Sequence, residues 1–205
     1  MCGRYYINSS ILKKIKQEDA FYGAFGVPVR GTPQRDRRDI RPSEMAPVLV
    51  RSGNGPGRNG QVHIEWMRWG FPATTGKNLI INARAESAME KSMFRERIWA
   101  NRCVIPAAGF YEWNSRKEKC EFSRAEQDEL FLAGFYGEFS GEKRFVILTT
   151  EANPSVAPVH GRMPLILERD EALNWIVDDS RIGEFLQKVP VGLSRKQEYE
   201  QLTLF

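Results

Sequence analysis

The sequence predicts a single α+β domain. Three observations carry this: short apolar runs of strand type recur along the chain, a few stretches show helical spacing of apolar residues, and no convincing linker divides the 205 residues. That length suffices for one sizeable core.

The elements follow in order from local pattern. Ser9 or Ser10 caps a helix through ILKKIKQEDAFYGAF, with Ile11, Leu12, Ile15 and Phe21 or Phe25 as its apolar side. Residues 28–44, polar, proline-bearing and arginine-rich, read as a loop. APVLVRS and VHIEWMRWGF read as strands joined by the glycine-rich GNGPGRNGQ, a hairpin tip. ARAESAMEKSMFRERIWA has helical character, with Met89, Met93 and Phe94 inward. Strand-type runs follow in RCVIPAAGFYEWN, ELFLAGFYGEF and RFVILTTEA. LERDEALNWIV is a helix, with Glu168, Asp170 and Glu171 suiting the positive end of its dipole, and SRIGEFLQKV is a shorter one.

Composition narrows the function classes. A hydrophobic fraction of 41% and a charged fraction of 27% describe a soluble globular chain. No apolar stretch approaches the roughly 18 residues of a membrane helix, and the N-terminus has no hydrophobic signal region, so the expectation is a cytoplasmic protein with no membrane partner. The three cysteines, Cys2, Cys103 and Cys120, form no CxxC pair, so neither a disulfide framework nor a metal site is indicated. No cofactor is implied. A net charge of +4 permits a polyanionic partner without requiring one.

The unusual residues sit in turn-rich stretches. Cys2 follows the initiator Met, and methionine removal before a small residue would leave a free α-amine and a thiol on adjacent carbons. Their unperturbed pKa values are about 7.7–8 and about 8.5, so both are partly deprotonated near neutrality. Arg4 supplies a cation nearby that favours the thiolate. The plainer reading of Cys2 is a small residue at a fraying end. Glu112 alternates with Phe110 and Asn114, opposite Tyr111 and Trp113. Solvated, it is a surface carboxylate; buried, its pKa rises toward acid–base work. His160, in a proline-bounded loop beside Arg162, is either a proton carrier or a hydrogen-bonded structural residue, whereas His63 reads as structural or solvated. Asn82 is a turn residue or one that orients a reactant. Arg4, Arg84 and Arg162 suit bidentate phosphate contacts, or each meets a local carboxylate such as Glu86 or Glu112. Among the aromatics, Trp66, Phe110 and Trp113 read mostly as core. Gly70 and Pro72 interrupt the strand at RWGFP, which makes Trp69 or Phe71 a stacking platform for an unpaired base.

Taken in order, MCGR, RWG, INARAES, GFYEW and HGRMP resemble the recurrent blocks of the SRAP family, the SOS-response-associated peptidases or abasic-site processing proteins. The blocks span residues 1 to about 167; each is weak alone, and the ordered set is specific. The resemblance implies a mainly antiparallel, barrel-like sheet with flanking helices in an SRAP domain over residues 1–190. It implies a sensor of abasic sites in single-stranded DNA during the damage response; a monomer is the expected state. The α-amine of Cys2 would form a Schiff base with the sugar aldehyde, and its thiol would close a thiazolidine ring. By the same resemblance Asn82 orients reactants, Glu112 moves protons at the amine or imine, and His160 acts on the sugar and in reversal. Arg4, Arg84 and Arg162 hold flanking phosphates. Lyase-type strand scission through the Schiff base and self-removal of the residue before Cys2 are also implied.

Many relatives carry a further segment after the last helix, and its closing strand is expected to be absent or replaced here. The tail 191–205 ends in QLTLF, which resembles the peptide by which bacterial replication proteins dock on the sliding clamp, with Gln201 fixing register and Leu204 and Phe205 in an apolar pocket. A terminal strand packed on the domain explains it equally. Two rival functions are carried forward. A glutamine amidotransferase-like amidohydrolase with an N-terminal cysteine accounts for Cys2 but not for GFYEW or HGRMP. A non-catalytic single-strand-binding module would not depend on Cys2.

Overall fold

Five strands close on themselves into a barrel, and a second five-stranded sheet lies alongside. The computed structural model describes residues 2–16, 37–52, 62–73, 78–124 and 129–197. In chain order the elements are β1 (Arg4–Asn8), α1 (Ser9–Lys16), β2 (Arg37–Ile40), β3 (Met45–Arg51), β4 (Val62–Trp69), β5 (Phe71–Pro72), β6 (Leu79–Ile80) and β7 (Asn82–Arg84). Then come α2 (Ala85–Ala88), α3 (Ser92–Ala100), β8 (Arg102–Ala107), β9 (Gly109–Trp113), β10 (Lys119–Ser123), β11 (Leu130–Phe139) and β12 (Glu142–Glu151). The chain continues through β13 (Arg162–Pro164), β14 (Ile166–Leu167), α4 (Arg169–Val177), a 3-10 turn at Asp179–Arg181, α5 (Ile182–Leu186) and β15 (Ser194–Gln197).

The barrel runs β12–β4–β3–β8–β11 and returns to β12. All its pairings are antiparallel except β12 with β4, which run parallel at Arg144↔Arg68. Closure removes the exposed edges that an open sheet would present. β8 is buried along its whole length because α3 and α4 cover its outer side, hence its nearly unbroken apolar sequence RCVIPA. Trp175 of α4 fixes that layer by donating from Nε1 to the carbonyls of Cys103 and Gly134, both at 3.1 Å. The expected antiparallel, barrel-like α+β fold is the observed one.

The second sheet has the order β15–β10–β9–β1–β2, antiparallel throughout. Both of its edges escape the sequence pattern. β2 lies inside the stretch that reads as a loop, and β15 inside the stretch that reads as a tail. Their sequences, RRDI and SRKQ, have no apolar alternation, because an edge strand needs backbone pairing more than side-chain burial. The short C-terminus therefore does supply a strand, which pairs with β10. Residues 201–205, with the clamp-like peptide, and the 53–61 link lie outside the described residues.

Local corrections have simple causes. Asn8, rather than Ser9 or Ser10, caps α1: its Oδ1 accepts from the N–H of Ile11 at 2.9 Å. The long helical stretch after Asn82 is two helices, α2 and α3. α4 begins with a capping box in which Glu168 and Glu171 each accept from the other's backbone. Gly109 permits the close approach of β1, β9 and β10. A Cβ there would sit 2.5 Å from both the Phe122 carbonyl oxygen and the Tyr6 hydroxyl.

Candidate active site

The start of the described chain is drawn into the protein. Cys2 is fully buried just before β1, and its thiol donates to the Arg4 carbonyl at 3.7 Å. Its own carbonyl accepts from Asn82 Nδ2 at 2.8 Å. Asn82 stands at the start of β7, where it is paired with Ile147 of β12, so the barrel sets its position. The Oδ1 of Asn82 is buried and has no hydrogen-bond partner among the described residues. A buried acceptor without a partner therefore stands on the side chain that holds the Cys2 carbonyl.

Glu112 is 3% exposed, on the inward face of β9. Burial raises its pKa, and the positive charges of the chain's amino terminus and of His160 pull it back down. The same carboxylate adds to burial in pushing the Cys2 thiol up. Thiol, carboxylate and imidazole thus share one electrostatic site. Of the two readings of Glu112, the buried one holds.

His160 sits on a loop that is tied down at several points. Asn153 donates to the carbonyls of Pro190 and Val191 at 3.0 and 2.8 Å and accepts from Ser155. The His160 N–H donates to the Val156 carbonyl at 3.1 Å. Nδ1 can accept from the Arg162 N–H at 3.0 Å. In the imidazolium, Nδ1–H can donate to the Arg162 carbonyl, 3.1 Å away. One backbone unit thus supports both protonation states.

The three arginines are not equivalent. Arg84 and Arg162 border the same end of β12, through Thr149↔Arg84 and Glu151↔Arg162. Arg162 forks onto the Glu86 carboxylate and donates to the Thr149 carbonyl at 2.7 Å. Arg4 lies on the outer face of the second sheet, opposite Tyr111. It sits 5.4 Å over the Trp113 ring and 3.9 Å from Asp39. Beside Asn82 opens a cavity of about 350 Å³, lined in part by Arg84, Ser87, Lys91 and Phe94.

Two expected site residues belong elsewhere. Trp69 and Phe71 are fully buried, so neither offers a ring face to a base. Trp69 lies edge-on to Tyr5 at 5.2 Å and donates from Nε1 to the Ile81 carbonyl at 2.9 Å. Phe71 packs on Phe135 and Phe139. The break at Gly70, whose φ is +105°, is an internal turn of the core. His63 is structural, bridging Ser52 at 2.7 Å and Glu65 at 3.0 Å. Asn153 and Thr149 support the site from inside the sheet and loop, and an isolated Asn or Thr gives no motif by which to find them.

The barrel with its second sheet defines a fold class with solved members. A protein from Bordetella bronchiseptica superposes with a TM-score of 0.72 at 23% identity, covering 97% of this chain and 100% of that one. A phage-related protein from the same organism gives 0.72 at 21% identity, covering 97% and 95%. The sequence then specifies the family: the model of SOS response associated peptidase (SRAP) matches residues 1–201, and the chain belongs to that family. Among its relatives is the abasic site processing protein YoaM of Bacillus subtilis, 30% identical over 92% of this chain and 85% of YoaM. The abasic site processing protein YoqW of the same bacterium is 29% identical over 74% of this chain and 71% of YoqW.

Proposed function

We propose that this protein processes abasic sites in single-stranded DNA by covalent capture through Cys2 after loss of Met1. The α-amine attacks the sugar aldehyde, and the carbinolamine loses water to give an imine. The thiol sulfur then adds to the imine carbon, its proton passes to nitrogen, and a thiazolidine closes. One water leaves overall. The observation that carries this reading is the convergence of Asn82 on the Cys2 carbonyl with Glu112 buried beside it.

The electrostatics support this order of steps. Burial and Glu112 push the thiol up, away from the reactive thiolate, which favours the amine as first nucleophile. An amidohydrolase would need the opposite, an activated thiolate. In the proposed mechanism Glu112 takes a proton from the amine and returns it to the departing hydroxyl. His160, held by the Arg162 backbone, serves as acid or base on the ring oxygen and in reversal. Arg84 and Arg162 take phosphates on the barrel side, and Arg4 takes one on the outer side, where Trp113 is only half-buried. Loss of the thiol would leave Schiff-base chemistry, with strand scission as its outcome. Self-removal of the preceding residue is the peptidase step of this scheme.

The test is a denaturing gel of protein mixed with an oligonucleotide carrying one abasic site. Wild type gives a shifted band and Cys2→Ala gives none. Equal retention of intact and abasic strands, with no heat-stable band, would favour the non-catalytic module. Docking on a sliding clamp through Gln201, Leu204 and Phe205 is a separate proposal resting on sequence alone. Deleting 201–205 abolishes clamp binding if it is right.

A further inference from the structure

Arg162 meets Glu86 in a two-pronged pair: Nη1 with Oε1, and Nη2 with Oε2 at 2.9 Å. Two oxygens of a DNA phosphate would take the same fork geometry. The two partners differ in exposure: the Arg162 side chain is 15% exposed and that of Glu86 51%. The carboxylate therefore covers the guanidinium on its solvent side, where an incoming phosphate would arrive. Arg162 does not depend on Glu86 for its place. Nη2 also donates to the Thr149 carbonyl at 2.7 Å, and its backbone is held by β12 and by His160. Glu86 rides on α2, four residues long and without a side-chain cap. Arg84 adds a second positive charge nearby, and together with the Arg162 hydrogen bonds it holds the Glu86 carboxyl below the usual range, so the pair is charged at neutral pH.

We propose that Glu86 is an intramolecular stand-in for phosphate, occupying Arg162 in the free protein and displaced when DNA binds. This inference rests on the reading that Arg162 contacts the DNA backbone. Its consequence is a threshold: a weak or passing anion does not win the guanidinium, whereas a strand held at several phosphates does. Because the Arg162 N–H also fixes His160 Nδ1, capture of phosphate occurs on the segment that orients the proposed proton carrier.

The experiment measures equilibrium binding of the full chain to a single-stranded oligonucleotide carrying a tetrahydrofuran abasic analogue, which has no aldehyde and forms no crosslink. Glu86→Gln is expected to bind about 5- to 10-fold more tightly at about 0.1 M salt, since one competing charge at a phosphate contact is removed. Glu90→Gln, which removes an exposed carboxylate four residues on, should change affinity less than about twofold. In an Arg162→Ala background, Glu86→Gln should give no more than Glu90→Gln does. Unchanged or weaker binding by Glu86→Gln overturns the proposal, and so does a gain that survives Arg162→Ala. A wild type that crosslinks abasic DNA while Glu86→Gln binds like it overturns this inference alone. A wild type that binds no single strand at all overturns this inference and the proposed function together.

Discussion

Asn82 donates from Nδ2 to the carbonyl of Cys2 at 2.8 Å, across 80 residues of sequence. A barrel strand thereby holds Cys2 in one place. An N-terminal amine can act as a precise nucleophile only under such restraint, because free termini fray.

Asn82→Ala should lower the rate of adduct formation by about 10- to 100-fold through loss of positioning. The cost in stability should be about 1 kcal/mol, the net worth of one hydrogen bond. Affinity for the tetrahydrofuran analogue should hold, since no phosphate contact is touched. Single-turnover gels and a binding titration separate the two effects.

Glu112 gives a pH dependence with a definite sign. Burial raises its pKa, so the carboxylate needed as base is lost at a higher pH than for an ordinary glutamate. The rate of adduct formation should therefore fall as pH drops through a point above the usual carboxylate range. Glu112→Gln should remove the part of the acid limb set by the carboxylate, leaving that set by the amine, and lower the plateau by about 100-fold or more. A rate–pH profile of both proteins checks the direction.

His160→Ala should slow release of the adduct more than its formation, by about 10-fold or more, because the ring is assigned to the sugar and to reversal. Chasing a preformed adduct with an aldehyde trap reads the release rate directly.

Arg102 tests the scaffold. It is 4% exposed, and its guanidinium N–H groups meet the carbonyls of Trp175, Ile98, Trp99 and Ile176 and the carboxylate of Asp179. Arg102→Ala orphans the C-terminal carbonyls of α3 and α4 and should cost about 3–5 kcal/mol. A thermal melt should show a midpoint lower by about 6–20 °C for a domain of this size.

The interior strands are legible in the sequence and the edges are not. β8 and β12 announce themselves by apolar runs, because both faces are covered. β2 and β15 carry charges, since they lie at the rims of the second sheet and are held by backbone pairing. The charges of β2 have local partners: Arg37 stacks 3.5 Å over the Tyr6 ring and pairs with Glu121 at 2.9 Å. Motif order picks out Cys2, Asn82, Glu112 and His160; alternation alone does not say which way Glu112 points. Tyr111 shows why: it lies on the opposite face and is also buried, so neither side of β9 is plainly the outside. Trp69 and Phe71 mislead because a glycine–proline break reads as a surface loop, whereas Gly70 turns inside the core. The fork of Arg162 on Glu86 joins residues 76 apart and is the carboxylate pairing offered as the alternative to phosphate for these arginines.

The most direct test of the account is the intact mass of the adduct formed with an abasic single strand, with and without borohydride. The expected mass is protein lacking Met1, plus DNA, minus one water, unchanged by borohydride because the ring has no C=N bond to reduce. Cys2→Ser should give a covalent product only when borohydride traps its imine. An adduct that retains Met1, or a processed wild type that forms none, would contradict capture by the Cys2 aminothiol.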